Sequence, residues 1–328
     1  MKPKLLATEF WGLGDLVIAT PFLQAASEKF DVTLIAKPYA LDLQARFWPD
    51  VKVRSFLAPW TAFRRKYHVW RWPWREMLRL RSLRKQRFDI GLSARWDPRD
   101  HVLVWAVGAR KRLGYPRLNS QIFLNAPLRR PPPAAHRYEY WRTLAESLDF
   151  SIPSRFECFP PKTNRSGAVL VHSGAGQPVR VWPLVKYRNL VLKLRERNIP
   201  VVVACDPDQR AWWTGAGETK ALTPRSVAEL IGLYDASSAF IGNDSGPAHL
   251  AAACGVPTMT LFGPQIPEWF SPLGAGARWL EGKPCPYKPC SDYCRFPLPY
   301  CLANVSLDET WPPVWDFVRN AIGQSPEP

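Results

Sequence analysis

Residues 240–264 read Phe-Ile-Gly-Asn-Asp-Ser-Gly-Pro-Ala-His-Leu-Ala-Ala-Ala-Cys-Gly-Val-Pro-Thr-Met-Thr-Leu-Phe-Gly-Pro. Ala239 to Ile241 close an apolar strand. Asn243 to Gly246 form a tight polar turn, and Pro247 to Cys254 carry the pattern of a buried helix. Gly255 is placed to end that helix, and Pro257 prevents it from continuing. Thr258 to Phe262 then return as a second, parallel strand. The turn sets Asp244, Ser245 and Gly246 at a helix N-terminus, where backbone N–H groups and the positive end of the helix dipole converge. Such a place suits a phosphate or pyrophosphate.

The same alternation runs through the chain. Leu5 to Ala7, the turn Gly12-Leu13-Gly14-Asp15, a helix to about Phe30 and a strand at Val32 to Ala36 open the first half. The second half restarts with a strand at Ala168 to His172 and a glycine turn at Ser173 to Gln177. A helix at about Pro183 to Arg197, a strand at Val201 to Cys205 and a helix at Ser226 to Tyr234 follow. Two such halves predict an α/β protein of two Rossmann-like, doubly wound domains facing a central cleft. The expected boundaries are 1–160, 161–307 and a closing helix in 308–328, with the Pro-rich connector Ser151 to Ser166 between the first two. At 328 residues the chain is long enough for two cores.

The composition is globular, and the formal charge of +16 calls for an anionic partner. No apolar stretch is long enough to span a membrane, and the N-terminus lacks the pattern of a signal peptide. The expected location is cytoplasmic, with contact at the inner face of a membrane as an option. Between Phe63 and Phe88 stand ten Arg or Lys residues and one acid, interleaved with Trp70, Trp72 and Trp74. Arg64, Arg65, Lys66, Arg71 and Arg75 are its candidate contacts to an anionic acceptor or a lipid surface. The bland alternative is a solvated face. Nucleic acid would satisfy the charge, but no nucleic-acid-binding motif accompanies it, and none is expected as a partner.

The 240–264 run resembles the Asp-[Ser/Thr]-Gly-x-x-His signature of the ADP-heptose:lipopolysaccharide heptosyltransferases, glycosyltransferase family 9. Asp244, Ser245, Gly246, His249 and Gly255-Val256-Pro257 fill its positions. Gly14-Asp15 and Thr20-Pro21 are similar to the family's N-terminal pattern. His172-Ser173-Gly174-Ala175 resembles its His-Pro-Gly-Ala loop, with Ser173 in place of Pro. Arg180 stands before Trp182-Pro183 where the family commonly has Lys.

The resemblance implies a GT-B architecture and an inverting transfer of a heptose or related sugar from an ADP-sugar to a lipid-linked, anionic core glycan. It implies Asp15 as general base, although an Asp at such a turn also serves as a helix cap. Donor contacts are implied for Arg180, Asp244, Ser245, Gly246, His249, Ser173 and Gly174, against structural roles for His249 and the loop at Ser173. No cofactor is required by that chemistry.

Cys285, Cys290, Cys294 and Cys301 make a candidate structural zinc site, or thiols that pack a loop. Two rival functions remain at this level. One is a non-catalytic polyanion- or membrane-binding protein. The other is a dinucleotide-dependent oxidoreductase, weakened because Val17 stands where a third glycine is needed.

Overall fold

The computed structural model describes residues 2–61, 80, 82–162, 167–290 and 293–323. Arg64, Arg65, Lys66, Arg71 and Arg75 lie outside the described residues. The chain divides into two compact units, Met1–Ile152 and Pro153–Pro328. The division falls within the Pro-rich connector.

In the first unit β1 (Lys4–Glu9), β2 (Asp31–Ala36), β3 (Lys52–Ser55), β4 (Ile90–Ser93), β5 (Lys111–Gly114) and β6 (Ala126–Pro127) form one parallel sheet. Its order is β3-β2-β1-β4-β5-β6. The central strands β1 and β2 are apolar runs buried almost throughout, as a sheet covered on both faces requires. The expected first helix is two short ones, Leu13–Ile18 and Thr20–Lys29, divided at Ala19. Pro21 lies at the start of the second, a position that wastes no hydrogen bond.

The second unit contains β7 (Ala168–His172), β8 (Val201–Ala204), β9 (Ser237–Asn243), β10 (Thr258–Phe262) and β11 (Ala277–Glu281). These strands are parallel in the order β11-β10-β9-β7-β8. Both sheets therefore reverse their winding at one place, between β1 and β4 in the first and between β7 and β9 in the second. Crossover loops diverge there and leave a crevice at the C-terminal strand ends.

The helix Gly246–Ala253 ends as its sequence dictates. Gly255 takes φ +73° and donates its N–H to Ala252 O at 2.9 Å. The closing helix Leu307–Ile322 begins at a Ser306/Glu309 capping box and continues through Pro312 and Pro313. Its residues Val314, Phe317 and Val318 lie in the core of the second unit with Trp182, Tyr187 and Leu190. No described helix is long and apolar enough to cross a membrane.

Close packing at the switch point of the second sheet depends on Gly242. A Cβ there would stand 2.7 Å from Phe240 Cζ and 3.0 Å from His172 O. Gly242→Ala is expected to cost about 1–3 kcal/mol by overpacking. The check is the midpoint of chemical denaturation, and a midpoint equal to the parent's would contradict the packing.

Candidate active site

The site of the second unit is built around Asn243, the last residue of β9. Its side chain is fully buried and makes four hydrogen bonds. Oδ1 accepts from Trp182 N and from Tyr187 Oη, both at 2.9 Å. Nδ2 donates to Ser173 O at 2.8 Å and to Gly174 O at 3.3 Å. One amide thus ties the loop after β7, the entry to helix Leu184–Glu196 and the loop after β9 into a single platform.

Asp244 follows, buried to 2% exposure, and Arg180 Nη1 donates to its Oδ2 at 3.2 Å. Arg180 is carried to this position by the short 3₁₀ turn Pro178–Arg180. Ser245 is the N-cap residue of helix Gly246–Ala253 in extended backbone, yet its side chain does not cap the helix. The hydroxyl donates instead to Asn243 O at 3.2 Å. The N-cap side chain thus accepts from none of the first-turn N–H groups, at the end where the helix dipole is positive. His249 is buried one turn further along.

Ser173 and Gly174 have other neighbours. The Ser173 hydroxyl is fully buried, donates to Gln209 Oε1 at 2.8 Å and accepts from Trp213 Nε1 at 2.9 Å. A Cβ on Gly174 would fall 2.3 Å from Asp206 Oδ1, so its missing side chain makes room for that carboxylate. Gly174 N donates to His172 Nδ1 at 3.2 Å. Burial pushes the His172 imidazole below its usual range, which favours this neutral, accepting ring.

In the first unit Asp15 lies in the first turn of helix Leu13–Ile18. Its Oδ2 accepts from Gly12 N at 3.1 Å, and its Oδ1 stands 2.5 Å from Arg95 Nη2. One oxygen serves the helix as a cap and the other faces Arg95. The Arg95 guanidinium also lies over the Trp11 ring, 4.7 Å from its centroid. Glu9, at the end of β1, accepts from Trp11 N at 3.1 Å and is 3.8 Å from Arg95 Nε. Burial raises the Glu9 carboxyl above its usual range against the opposing pull of Arg95.

Nearby, Asp100 accepts from Trp60 Nε1 at 3.1 Å and from Ser93 Oγ at 3.2 Å. Burial, reinforced by Asp97 and Glu9, pushes its carboxyl up to about 7.

Asn243, Arg95 and Glu9 were not among the residues singled out by sequence. Asn243 had a signal, because it is the residue between an apolar strand and Asp244. Arg95 and Glu9 had only their places after strand ends.

Cys285, Cys290, Cys294 and Cys301 line one small pocket with Tyr287, Phe296 and Tyr300. Among the described residues no three His, Cys, Asp or Glu side chains come together to hold a metal ion. The cysteines therefore do not meet the geometry of the expected zinc site, and burial holds the Cys301 thiol above its usual range.

Residues 77–296 match the model of glycosyltransferase family 9 (heptosyltransferase), and the chain belongs to that family. It is 31% identical over 120 residues to lipopolysaccharide heptosyltransferase 2 of Escherichia coli K12, covering 32% of this chain and 33% of that one. To lipopolysaccharide heptosyltransferase 1 of Pseudomonas aeruginosa PAO1 it is 31% identical over 169 residues, covering 47% of each chain. The chain thus spans about a third to a half of the curated relatives it matches. Its fold is that of the E. coli heptosyltransferase WaaC solved with ADP, with a TM-score of 0.73 at 17% identity, covering 97% of this chain and 99% of that one. The architecture is accordingly GT-B.

Two outcomes follow from the buried polar groups. Asn243→Ala leaves Trp182 N and Tyr187 Oη without their acceptor. It should lower unfolding stability by roughly 2–4 kcal/mol, read as a shifted denaturation midpoint; an unshifted midpoint would remove Asn243 from its central role.

For Asp100 the folded pKa is raised, so its contribution to stability is complete below the unfolded value near 3.8 and lost as pH rises through about 7. Asp100→Asn should therefore be more stable than the parent at pH 8, on the order of 1–3 kcal/mol. The gap should close toward pH 4. Parallel stability profiles of the two proteins across that range would show that Asp100 is not held protonated.

Proposed function

We propose that the chain is an inverting glycosyltransferase that moves a heptose or related sugar from an ADP-sugar to a lipid-linked, anionic core glycan of the lipopolysaccharide type. The observation that carries this reading is the Arg180–Asp244 pair beside the uncapped first turn of helix Gly246–Ala253. That turn is receptive to a diphosphate, and Arg180 supplies a cation that can share a phosphate oxygen in bidentate geometry. The family to which the chain belongs and the ADP carried by the solved E. coli relative point to the same donor class.

In this mechanism the diphosphate rests on the Asp244–Gly246 turn. As the glycosidic bond lengthens, negative charge grows on the departing ADP, and Arg180, the Ser245 hydroxyl and the Gly246 N–H stabilise it. His249 orients the loop from behind. Asp15 accepts the proton of the acceptor hydroxyl while that oxygen attacks the anomeric carbon from the side opposite ADP. One displacement inverts the centre, with no covalent enzyme intermediate. Arg95 and the Gly12 N–H hold the Asp15 carboxylate in one orientation, which limits the entropy lost at the moment of proton transfer.

Work at the cytoplasmic face of an inner membrane fits a lipid-linked acceptor. The basic run between Phe63 and Phe88 supplies the charge for such contact.

Asp15→Asn keeps the size of the side chain and removes the base. Transfer from ADP-heptose to a core acceptor should fall by about two to four orders of magnitude, with the affinity for ADP unchanged in calorimetric titration. Asp244→Ala should weaken ADP binding instead. Full activity in Asp15→Asn would exclude it as the base. A preference for UDP over ADP would keep the transferase and discard the donor.

A further inference from the structure

Helix Pro98–Val107 and the 3₁₀ turn Ser120–Phe123 of the first unit present large apolar side chains to water. Val102 and Trp105 lie on the exposed face of the helix, and Trp105 is 52% exposed. Leu118, just before the turn, is 79% exposed, and Ile122 within it is 72% exposed. The rings of Trp105 and Phe123 meet edge-on with centroids 5.7 Å apart, which joins helix and turn into one patch. A lone exposed leucine needs no explanation, but a contiguous group marks a surface that another body covers.

The patch is held in shape from beneath. Leu118 and Asn119 take φ +49° and +61°, a left-handed conformation that leucine seldom enters. Ser120 imposes it. Its buried Oγ accepts from Arg117 N at 3.0 Å and lies 2.9 Å from His101 Nδ1, while His101 Nε2 lies 3.2 Å from Arg95 O. Burial moves the His101 imidazole below its usual range and so favours the neutral ring. Its Nε2–H then donates to the carbonyl, and Nδ1 accepts the Ser120 hydroxyl. A strained leucine turned to water adds little to the core, yet a buried polar anchor fixes it there.

The surroundings are basic. From Pro98 to Arg130 there are seven Arg or Lys residues and one acid, Asp100, which is buried. Asp97 engages Arg99, and Asp89 engages Arg110. Arg117 is exposed beside Leu118, and Arg112 Nε donates to Phe123 O at 2.8 Å. The described residues that flank the basic run between Phe63 and Phe88 meet the same helix. Arg99 lies over the Trp60 ring, 5.7 Å from its centroid, and a Cβ on Gly108 would stand 3.5 Å from Arg84 Cγ. Apolar tips among cations of one sign complement a bilayer with anionic headgroups, in which leucine and isoleucine enter the acyl boundary, tryptophan stays at headgroup level and arginine meets phosphate.

We propose that this patch docks the first unit on an anionic phospholipid bilayer, with Leu118 and Ile122 inserted, Trp105 among the headgroups and Arg117 on lipid phosphates. The proposal rests on the transferase reading above for its purpose, because a lipid-linked acceptor is met at such a surface. The patch is separate in sequence from the basic run and adds to it what charge alone lacks, a fixed depth and orientation.

The test is flotation of the full chain with vesicles of phosphatidylcholine, alone and mixed with phosphatidylglycerol. The parent should bind the mixed vesicles and bind phosphatidylcholine far more weakly. Leu118→Ser combined with Ile122→Ser should lower the partition coefficient by about tenfold or more. Both side chains are exposed, so the denaturation midpoint should not move. Arg117→Gln should weaken binding by about fivefold. Amide exchange from Arg117 to Phe123 should slow on the mixed vesicles.

The double serine variant keeps the basic run intact. Vesicle binding equal to the parent's would overturn the patch and leave docking to the run, and a parent that binds neither vesicle overturns it outright. Self-association of the parent that the double variant loses, with vesicle binding unchanged, overturns it in favour of contact between copies of the chain. Calorimetric titration with ADP separates the two readings. Loss of vesicle binding in the double variant, in a chain that binds no ADP, leaves the patch standing and removes the donor reading. ADP binding with equal vesicle affinity in parent and double variant removes the patch alone.

Discussion

A parallel strand can be joined to its neighbour only by a crossover, and the crossover is right-handed. That constraint governs this molecule. Each sheet is wound outward in both directions from one point, and the loops on either side of that point lead away from each other. In the second unit the point lies between β7 and β9. The chain places His172, Ser173 and Gly174 on one side of it and Asn243, Asp244 and Ser245 on the other. In the first unit it lies between β1 and β4, with Glu9 and Asp15 on one side and Arg95 on the other. The candidate site residues of each unit sit where its loops diverge.

An open crevice alone would not hold loops still. In the second unit the solution is a polar core. Asn243 supplies two donors and accepts twice, and Ser173 closes a second ring with Gln209 and Trp213. Every one of these groups is buried, so each would be costly if left unpaired. Full pairing turns that cost into rigidity. The Asp244–Gly246 turn therefore rests on residues whose own work is internal.

Sequence and structure part company along this line. β7, β9 and β10 are legible because buried parallel strands are continuous apolar runs. The turn at Asp244 is legible because a polar cluster between two such runs has few alternatives. The strands β3, at one edge of the sheet, and β5, next to the other edge, are short and charged, Lys52-Val-Arg-Ser and Lys111-Arg-Leu-Gly, and carry no periodicity that separates them from loops. Ser173 reads as a ligand residue by its place in a motif, whereas its hydroxyl is bonded within the core. Arg137 lies far from Asp15 in sequence, and only the fold brings it near the same charges.

The two units treat buried charge differently. In the second, Arg180 is matched to the carboxylate of Asp244, so the pair is near neutrality beside the positive end of a helix dipole. In the first, Asp15 is paired with Arg95, and Arg137 Nε and Nη1 meet no acceptor among the described residues although the side chain is almost fully buried. That arrangement lowers the stability of the free protein, because the charge is desolvated without a matching counter-charge. It persists at the C-terminal end of a sheet whose remaining residues form a well-packed core, and that core offsets the loss.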